Sequence, residues 1–266
     1  MAHREAWPVA LTIAGSDSGG GAGIQADLKT FAALGVHGTS ALTCITAQNP
    51  QEVRAVQACR PAIVREQIQA VFAAFQPGAV KTGMLLNQGI IRAVADWFRS
   101  ATRPPLVVDP VMVATSGARL LQASARRVLE TALLPQALLT TPNLDEAALL
   151  VGRPLRTLED VRAAAREIHR RFGCAALVKG GHLQGLGQAV DFLFDGREEW
   201  MLEAPRVPAV STHGTGCTYS AAIAGYLALG LELKPAVEMA KRHVTQAIAQ
   251  SVRASGHDVL NPWWRE

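Results

Sequence analysis

Short apolar runs alternate with amphipathic stretches along almost the whole chain. The apolar runs predict strands at residues 9–14, 39–46, 79–82, 106–109, 137–141 and 175–179. The stretches between them have helical periodicity and predict helices at residues 24–34, 61–75, 88–99, 124–133, 145–150 and 158–172. This alternation is typical of a parallel sheet that helices cover on both faces.

The order of elements changes after residue 179. Two predicted strands, 190–194 and 198–202, are separated by Asp195-Gly196, a dipeptide that favours a β-hairpin. Two more helices are predicted at 217–229 and 235–252. With 49% apolar residues, the chain can bury a continuous core. We therefore expect an α/β fold with one domain over residues 1–266.

Charge and cysteine usage narrow the choice of partners. The formal net charge is +4, with the basic residues spread along the helices, so we expect some affinity for phosphorylated ligands and no nucleic-acid partner. The four cysteines form no C-x-x-C pair, which argues against a disulfide framework or a zinc ribbon. No apolar run is long enough for a signal peptide or a membrane span. We expect a cytoplasmic protein without a membrane partner.

The strongest chemical signal is Gly214-Thr215-Gly216-Cys217, where a small-residue helix begins. The glycines leave backbone N–H groups uncovered at the positive end of that helix, which predicts an anion site. A thiol at the same place is expected to have its pKa lowered from about 8.5 towards neutrality. The alternative is a helix start in which Cys217 is a small buried apolar residue.

Polar residues follow three of the predicted strands. Asp109, Asn143 with Glu146, and Lys179 each stand just after an apolar run, where ligands bind in open α/β sheets. Asn143 and Glu146 fit either a helix capping box or a site for hydrated Mg²⁺, and Lys179 can meet a phosphate. Together with the anion site, these residues predict phosphoryl transfer without a Walker A loop.

The N-terminal glycine-rich loop fits a dinucleotide fingerprint only in part. Residues 21–26 satisfy G-x-G-x-x-A, but the next strand ends near Gln48 and lacks the acidic residue that binds a ribose. The remaining interpretation is a loop that lets a flat substrate approach the backbone, with polar contacts from Asp17, Asp27 and Gln48. Taken alone, Asp17 favours a turn or cap, and His213 favours a structural role.

Motifs along nearly the whole chain resemble those of hydroxymethylpyrimidine/phosphomethylpyrimidine kinases, the thiamine-pathway branch of the ribokinase-like superfamily. The motifs lie at residues 11–17, 20–29, 47–49, 81–84, 141–143, 178–182 and 212–217. The resemblance runs from about residue 9 to the tail at 262–264. It implies a three-layer α/β/α fold with a mostly parallel central sheet.

The resemblance also implies three groups of site residues. The pyrimidine would be bound by Gln48, Asp27, Met84 and Gly15. The catalytic loop would consist of Gly214, Thr215, Gly216 and Cys217, the cysteine standing where sugar kinases have an aspartate base. The phosphates of ATP would contact Lys179, Asn143 and Thr212, and Mg²⁺ would contact Asp109 and Glu146.

The implied activity is transfer of the γ-phosphoryl group of ATP to 4-amino-5-hydroxymethyl-2-methylpyrimidine and then to its monophosphate, with Mg²⁺ as cofactor. We also expect a homodimer. Three alternatives remain at this point: a pyridoxal-type kinase on the same scaffold, a nicotinamide oxidoreductase that uses the N-terminal glycines, and a pyrimidine-binding module without turnover.

Overall fold

The computed structural model describes residues 6–99, 103–113, 121–181, 183, 187–207 and 213–264. The strands are β1 (Val9–Asp17), β2 (His37–Gln48), β3 (Val53–Ala58), β4 (Ala79–Thr82), β5 (Leu106–Val108), β6 (Leu139–Thr140), β7 (Ala175–Lys179), β8 (Gln188–Phe194), β9 (Glu199–Pro205), β10 (Val252–Ala254) and β11 (His257–Val259). The α-helices are α1 (Gly23–Ala33), α2 (Pro61–Ala74), α3 (Gln88–Phe98), α4 (Ala123–Val128), α5 (Leu144–Val151), α6 (Leu158–Phe172), α7 (Thr215–Ala228) and α8 (Leu233–Ala249).

Within the described residues, nine strands form one sheet in the order β3-β2-β1-β4-β5-β6-β7-β8-β9. The six central strands, β2-β1-β4-β5-β6-β7 in sheet order, pair in parallel. The outer strands β3, β8 and β9 pair antiparallel to their neighbours. This confirms the predicted mostly parallel sheet. The chain winds outward from β1 first to one side and then to the other, so the carboxyl ends of the parallel strands meet in a crevice beside β1.

Helices cover both faces of the sheet, as the sequence predicted. Leu11 and Ile13 of β1 pack in the core shared with helices α2 to α6, and the intervening Ala10 packs with α1, α7 and α8 on the other face. Adjacent residues of a strand point to opposite faces, so a strand between two layers of helices must be apolar at nearly every position. The result is the three-layer α/β/α arrangement.

Two of the predicted helices differ from the structure in their C-terminal parts, and one strand of the sheet was not predicted. The helix predicted at 124–133 is an α-helix only to Val128 and continues as a π-helix over Leu129–Leu133. The last helix ends at Ala249 rather than residue 252, because Val252 pairs with Val259 in a two-stranded hairpin. Strand β3 was not predicted, and its residues are mostly exposed, so it lacks the apolar run that marks the central strands.

The predicted hairpin of β8 and β9 is confirmed, with a longer turn than Asp195-Gly196 alone. Residues 195–198 connect the strands. The Asp195 carboxylate accepts hydrogen bonds from the backbone N–H groups of Arg197 at 2.8 Å and Glu198 at 2.7 Å, and Gly196 has a φ of 98°. The acidic side chain therefore closes the turn. In the described part of the chain, no helix has both the length and the apolarity that a membrane span requires.

Candidate active site

Helix α7 begins against the N-terminal glycine-rich loop. Gly214 precedes its first turn with a φ of 81°, and a Cβ added there would lie 1.8 Å from the carbonyl oxygen of Gly21. Only glycine fits this junction, because both the left-handed conformation and the close approach exclude a side chain. The next residues, Thr215, Gly216 and Cys217, form the first helical turn, whose N–H groups have no partner within the helix.

The Thr215 hydroxyl is a second feature of this turn that suits an anion. It is buried and has no hydrogen-bond partner among the described residues. A buried hydroxyl without a partner is costly, and a phosphate oxygen would supply the missing acceptor. The glycines and this hydroxyl thus fit a phosphoryl group at the start of α7.

The ends of β5 and β7 meet α7 through a buried ion pair. Lys179 Nζ donates to Asp109 Oδ1 at 3.0 Å, and the Thr141 hydroxyl donates to the same oxygen at 2.9 Å. The Ser220 hydroxyl of α7 donates to Asp109 Oδ2 at 3.2 Å. Burial alone would lower the pKa of Lys179, but the carboxylates of Asp109 and Glu146 outweigh it and raise that pKa. Lys179 is therefore a cation at neutral pH.

This cation lies against the predicted anion loop. A Cβ added at Gly216 would stand 3.2 Å from Lys179 Nζ and 3.9 Å from Asp109 Oδ2. The structure thus brings together two strand ends and the first turn of α7, as expected from the sequence. Glycine at position 216 leaves the ammonium open towards the loop.

Asn143 and Glu146 form the predicted capping box at the start of α5. Asn143 Oδ1 accepts from the N–H of Glu146 at 2.9 Å, and Glu146 Oε2 accepts from the N–H of Asn143 at 2.9 Å. Burial raises the pKa of Glu146 to about 7; Lys179 opposes this shift and Asp109 adds to it. A carboxylate has about four lone-pair positions, so the cap leaves room for a further ligand and does not exclude the Mg²⁺ role.

The predicted lowering of the Cys217 pKa is wrong. Burial raises the pKa of this thiol to about 11; Lys81 and the backbone N–H of Gly23 lower it, whereas Asp27 and Asp109 raise it further. The sequence pattern reveals only the positive helix end, which lowers the pKa of a thiol. The structure adds loss of water and two carboxylates from other elements, and these dominate. Cys217 is therefore a protonated thiol at neutral pH.

Lys81 is a charged residue of this region that the sequence analysis did not single out. It lies on the central strand β4, fully buried, and its Nζ donates to Asp27 Oδ1 at 2.7 Å and Oδ2 at 2.8 Å. The Thr12 hydroxyl donates to Asp27 Oδ2 at 2.6 Å. Burial tends to lower the pKa of Lys81, but Asp27 and further anionic groups raise it above its usual range. A lysine inside an apolar strand was the available signal, since it requires a buried partner.

The residues expected around the pyrimidine lie near the ends of β1, β2 and β4. Met84 and Cys44 are buried together, and a Cβ added at Gly15 would lie 2.7 Å from Cys44 Sγ. Gln48, the last residue of β2, is partly exposed, and its Oε1 accepts from the Thr46 hydroxyl at 3.5 Å. The carboxylate of Asp27 is occupied by Lys81 and Thr12 as described above, and its substrate contact stays a prediction. Thr212 lies outside the described residues.

Comparison with known proteins identifies the family. The sequence model of the family described as phosphomethylpyrimidine kinase matches residues 17–261. A hydroxymethylpyrimidine/phosphomethylpyrimidine kinase of Rhizobium meliloti is 49% identical over 265 residues, which is 97% of this chain and 99% of that protein. The thiamine biosynthesis bifunctional protein ThiED of Geobacter sulfurreducens is 48% identical over 253 residues. The match covers 94% of this chain but only 51% of that longer relative.

Solved structures agree with this assignment. The phosphomethylpyrimidine kinase of Clostridium difficile is 42% identical, with a TM-score of 0.80 over 90% of this chain and 99% of the other. An ADP complex of Bacillus subtilis pyridoxal kinase is 38% identical, with a TM-score of 0.88 over 96% of this chain and 97% of the other. These neighbours share the ribokinase-like fold predicted for this chain. From the family match and the relatives of nearly equal length, the chain belongs to the phosphomethylpyrimidine kinase family.

Proposed function

We propose that this protein transfers the γ-phosphoryl group of ATP to the hydroxymethyl oxygen of 4-amino-5-hydroxymethyl-2-methylpyrimidine, and then phosphorylates the resulting monophosphate. The observation that carries the proposal is the Lys179 ammonium, 3.0 Å from Asp109 and against the first turn of α7. Phosphoryl transfer requires charge stabilisation and positioning rather than extensive covalent chemistry, and this cluster provides both. The names and coverage of the relatives support the substrate class.

The described residues divide the chemistry between them. The N–H groups of Gly214, Thr215 and Gly216 and the Lys179 ammonium would stabilise the charge that develops on the transferred phosphoryl oxygens. The bond from the β,γ-bridging oxygen to the γ-phosphorus breaks, a bond forms to the acceptor oxygen, ADP leaves, and the hydroxyl proton is lost to solvent or a nearby base.

Cys217 fits a positioning role better than that of a resting base. With a pKa of about 11 the thiol is protonated at neutral pH, and a base must be deprotonated before it can accept a proton. A loose phosphoryl-transfer transition state needs little prior activation of the acceptor. We therefore place the thiol beside the acceptor oxygen, where it fills the space and orients the hydroxyl.

Mg²⁺ is part of the proposal. Asp109 and Glu146 are buried carboxylates, and both lie close enough to Lys179 to raise its pKa. One or two carboxylates with substrate phosphates are a typical donor set for this ion. When bound, Mg²⁺ would neutralise charge on the ATP phosphates. The homodimer and the cytoplasmic location stay predictions from the sequence.

A pyridoxal kinase activity is the second candidate. The pyridoxal kinase of Bacillus subtilis superposes with a higher TM-score, 0.88, than the phosphomethylpyrimidine kinase of Clostridium difficile, 0.80. Both rings are flat nitrogen heterocycles with a hydroxymethyl group, so a pocket bounded by Gly15 and Met84 could accept either. We expect this activity to be the weaker one, since the sequence relatives carry the pyrimidine name.

The test is a product assay with a matched control. Purified protein is incubated with MgATP and, separately, hydroxymethylpyrimidine, its monophosphate or pyridoxal, and ADP and the phosphorylated products are followed by mass. We expect both pyrimidines to be phosphorylated, and Asp109→Asn to reduce turnover at least about 100-fold. Asp96→Asn, which changes an exposed aspartate on α3, should leave turnover unchanged. Phosphorylation of pyridoxal alone would replace the proposed function by the second candidate.

A further inference from the structure

The proposed function leaves the N-terminal glycine-rich loop without a task, although its pattern was conspicuous in the sequence. In the structure this loop is organised by one carboxylate, that of Asp17 at the end of β1. Its Oδ1 accepts from the N–H of Gly19 at 2.8 Å, and its Oδ2 accepts from the N–H groups of Gly21 at 3.1 Å and Ala22 at 2.8 Å. Asp17 is only 3% exposed, so its carboxylate is surrounded by protein groups rather than by solvent.

The same carboxylate reaches across to the segment that leads into α7. His213 Nε2 lies 3.3 Å from Asp17 Oδ2, and His213 directly precedes the glycine that begins the anion loop. The backbones of the two loops are packed together, because a Cβ at Gly214 would overlap the Gly21 carbonyl oxygen and a Cβ at Gly21 would lie 2.7 Å from the His213 ring. The two loops are therefore in direct contact, with no room for a side chain between them.

The loop also reaches the thiol. The backbone N–H of Gly23, the first residue of α1, acts on the Cys217 thiol and lowers its pKa. A Cβ at Gly23 would lie 2.4 Å from the Gly15 carbonyl oxygen, so this N–H is fixed by close packing against the end of β1. The first turns of α1 and α7 thus meet at Cys217.

A carboxylate beside a phosphate site needs a specific reason to be there. A negative charge near a site for anions weakens anion binding, unless hydrogen-bond donors take up that charge. Burial acts to raise the pKa of Asp17, but hydrogen bonds from His213 and the backbone N–H groups of Gly19 and Ala22 more than offset it and lower that pKa. Asp17 is therefore ionised, with its charge directed at the two loops.

We propose that Asp17 is a positioning residue for phosphoryl transfer: it holds the loop at residues 19–23 against the start of α7 and, through His213, fixes the anion loop in its reactive geometry. The proposal rests on the proposed function for the identity of the step, but the structural coupling of the two loops is independent of the substrate. In this proposal the glycine-rich loop supports the anion loop and does not bind a dinucleotide.

The first test is a double-mutant cycle with Asp17→Asn, His213→Ala and the double variant, measured by steady-state kinetics. A misplacement of about 1 Å can cost about 100-fold in rate, so we expect each single variant to lower kcat about 10- to 100-fold while KM for ATP changes less than about threefold. Because the residues act through one contact, the double variant should be no more than about threefold slower than the slower single variant. Asp195→Asn, which alters a carboxylate with a similar turn-closing role in the β8–β9 hairpin, should keep the wild-type kcat.

Two kinetic results would overturn the proposal. One is a kcat for Asp17→Asn within about twofold of wild type. The other is a double variant whose loss equals the product of the two single losses, since that would show that Asp17 and His213 act independently.

The second test does not depend on activity. Hydrogen–deuterium exchange followed by mass spectrometry should show faster exchange in Asp17→Asn both in the peptide around residues 19–25 and in that around 213–220, with the peptides of α8 unchanged. Faster exchange in the first peptide alone would reduce Asp17 to a local turn and overturn the coupling. If Asp17→Asn does not fold, the same pair of peptides is compared in His213→Ala. An inactive wild type with coupled exchange would contradict the proposed function and leave the coupling intact.

Discussion

Burial and two neighbouring carboxylates hold Cys217 as a neutral thiol. Its place in the first turn of a helix suggested a low pKa, yet the structure surrounds the thiol with burial, Asp27 and Asp109, which together prevail over Lys81 and the Gly23 N–H. The helix-end effect is typically below about 1 kcal/mol at exposed sites, whereas desolvation of a buried ionisable group can shift its pKa by several units. The larger effect determines the protonation state.

Alkylation of Cys217 measures this directly. Since only the thiolate reacts, the rate with iodoacetamide should be low at pH 7.5 and should keep rising about tenfold for each pH unit up to about pH 11, where the pKa lies. Peptide mass mapping follows each cysteine separately, and the partly exposed Cys59 provides an internal reference. A plateau of the Cys217 rate below pH 8 would show that the thiolate is stabilised after all and would return Cys217 to the role of a base.

A buried ion pair joins helix α8 to strand β8, next to the strand end that carries Lys179. Lys241 Nζ of α8 donates to Asp191 Oδ2 of β8 at 2.6 Å and to the Ala189 carbonyl oxygen at 3.1 Å. Asp191 Oδ1 accepts from the N–H of Gly180 at 3.0 Å. A Cβ at Gly180 would lie 2.4 Å from the Val190 carbonyl oxygen. The pair therefore ties α8 to the strand end that carries Lys179.

Replacing the lysine of this pair alone should lower the unfolding free energy more than replacing both charged residues. Lys241→Met leaves the Asp191 carboxylate buried without its cation, a change that typically costs about 3–5 kcal/mol of unfolding free energy. The double variant Lys241→Met/Asp191→Asn carries no charge and retains an acceptor for Gly180, so we expect it to recover at least half of the loss. Urea unfolding provides the measurement, and Lys234→Met, on the exposed side of α8, should cost less than about 1 kcal/mol. A double variant as unstable as Lys241→Met would contradict this account.

Strands buried on both faces could be predicted from the sequence. Exposed strands, and contacts between residues far apart in the chain, were harder to predict. Strands such as β1 and β7 were predictable because nearly all of their side chains meet apolar layers. Strands β3 and β10 are mostly exposed and β11 is only half-buried, so these strands lack that pattern. Asp109 and Lys179 were found because strand ends converge in this topology. The bond between Lys81 and Asp27 joins residues far apart in the chain, and no periodicity records such a pairing.

Two buried groups, His243 and Glu146, change the unfolding free energy of the protein in opposite directions as the pH falls. His243 of α8 is buried beside Trp264, and burial lowers its pKa from 6.5 to about 4. Its contribution to stability is complete above the unfolded pKa and is lost as the pH falls towards 4. Glu146 acts in the opposite direction, because its raised pKa of about 7 means that the folded state binds its proton first. The dependence of the total unfolding free energy on pH therefore does not reveal the contribution of either group.

A difference between two proteins isolates the His243 contribution, because Glu146 and the other groups cancel. We expect wild type to lose about 2 kcal/mol of unfolding free energy between pH 8 and pH 5 relative to His243→Leu, since unfolded chains take up the proton that the folded site refuses. Leucine fills a similar volume without a titrating nitrogen, and the His243 Nε2 has no hydrogen-bond partner among the described residues. Urea unfolding at half-unit pH steps gives the two curves. Parallel curves for wild type and His243→Leu would show that His243 takes up its proton over the same pH range in the folded and unfolded states, and that its burial does not govern acid stability.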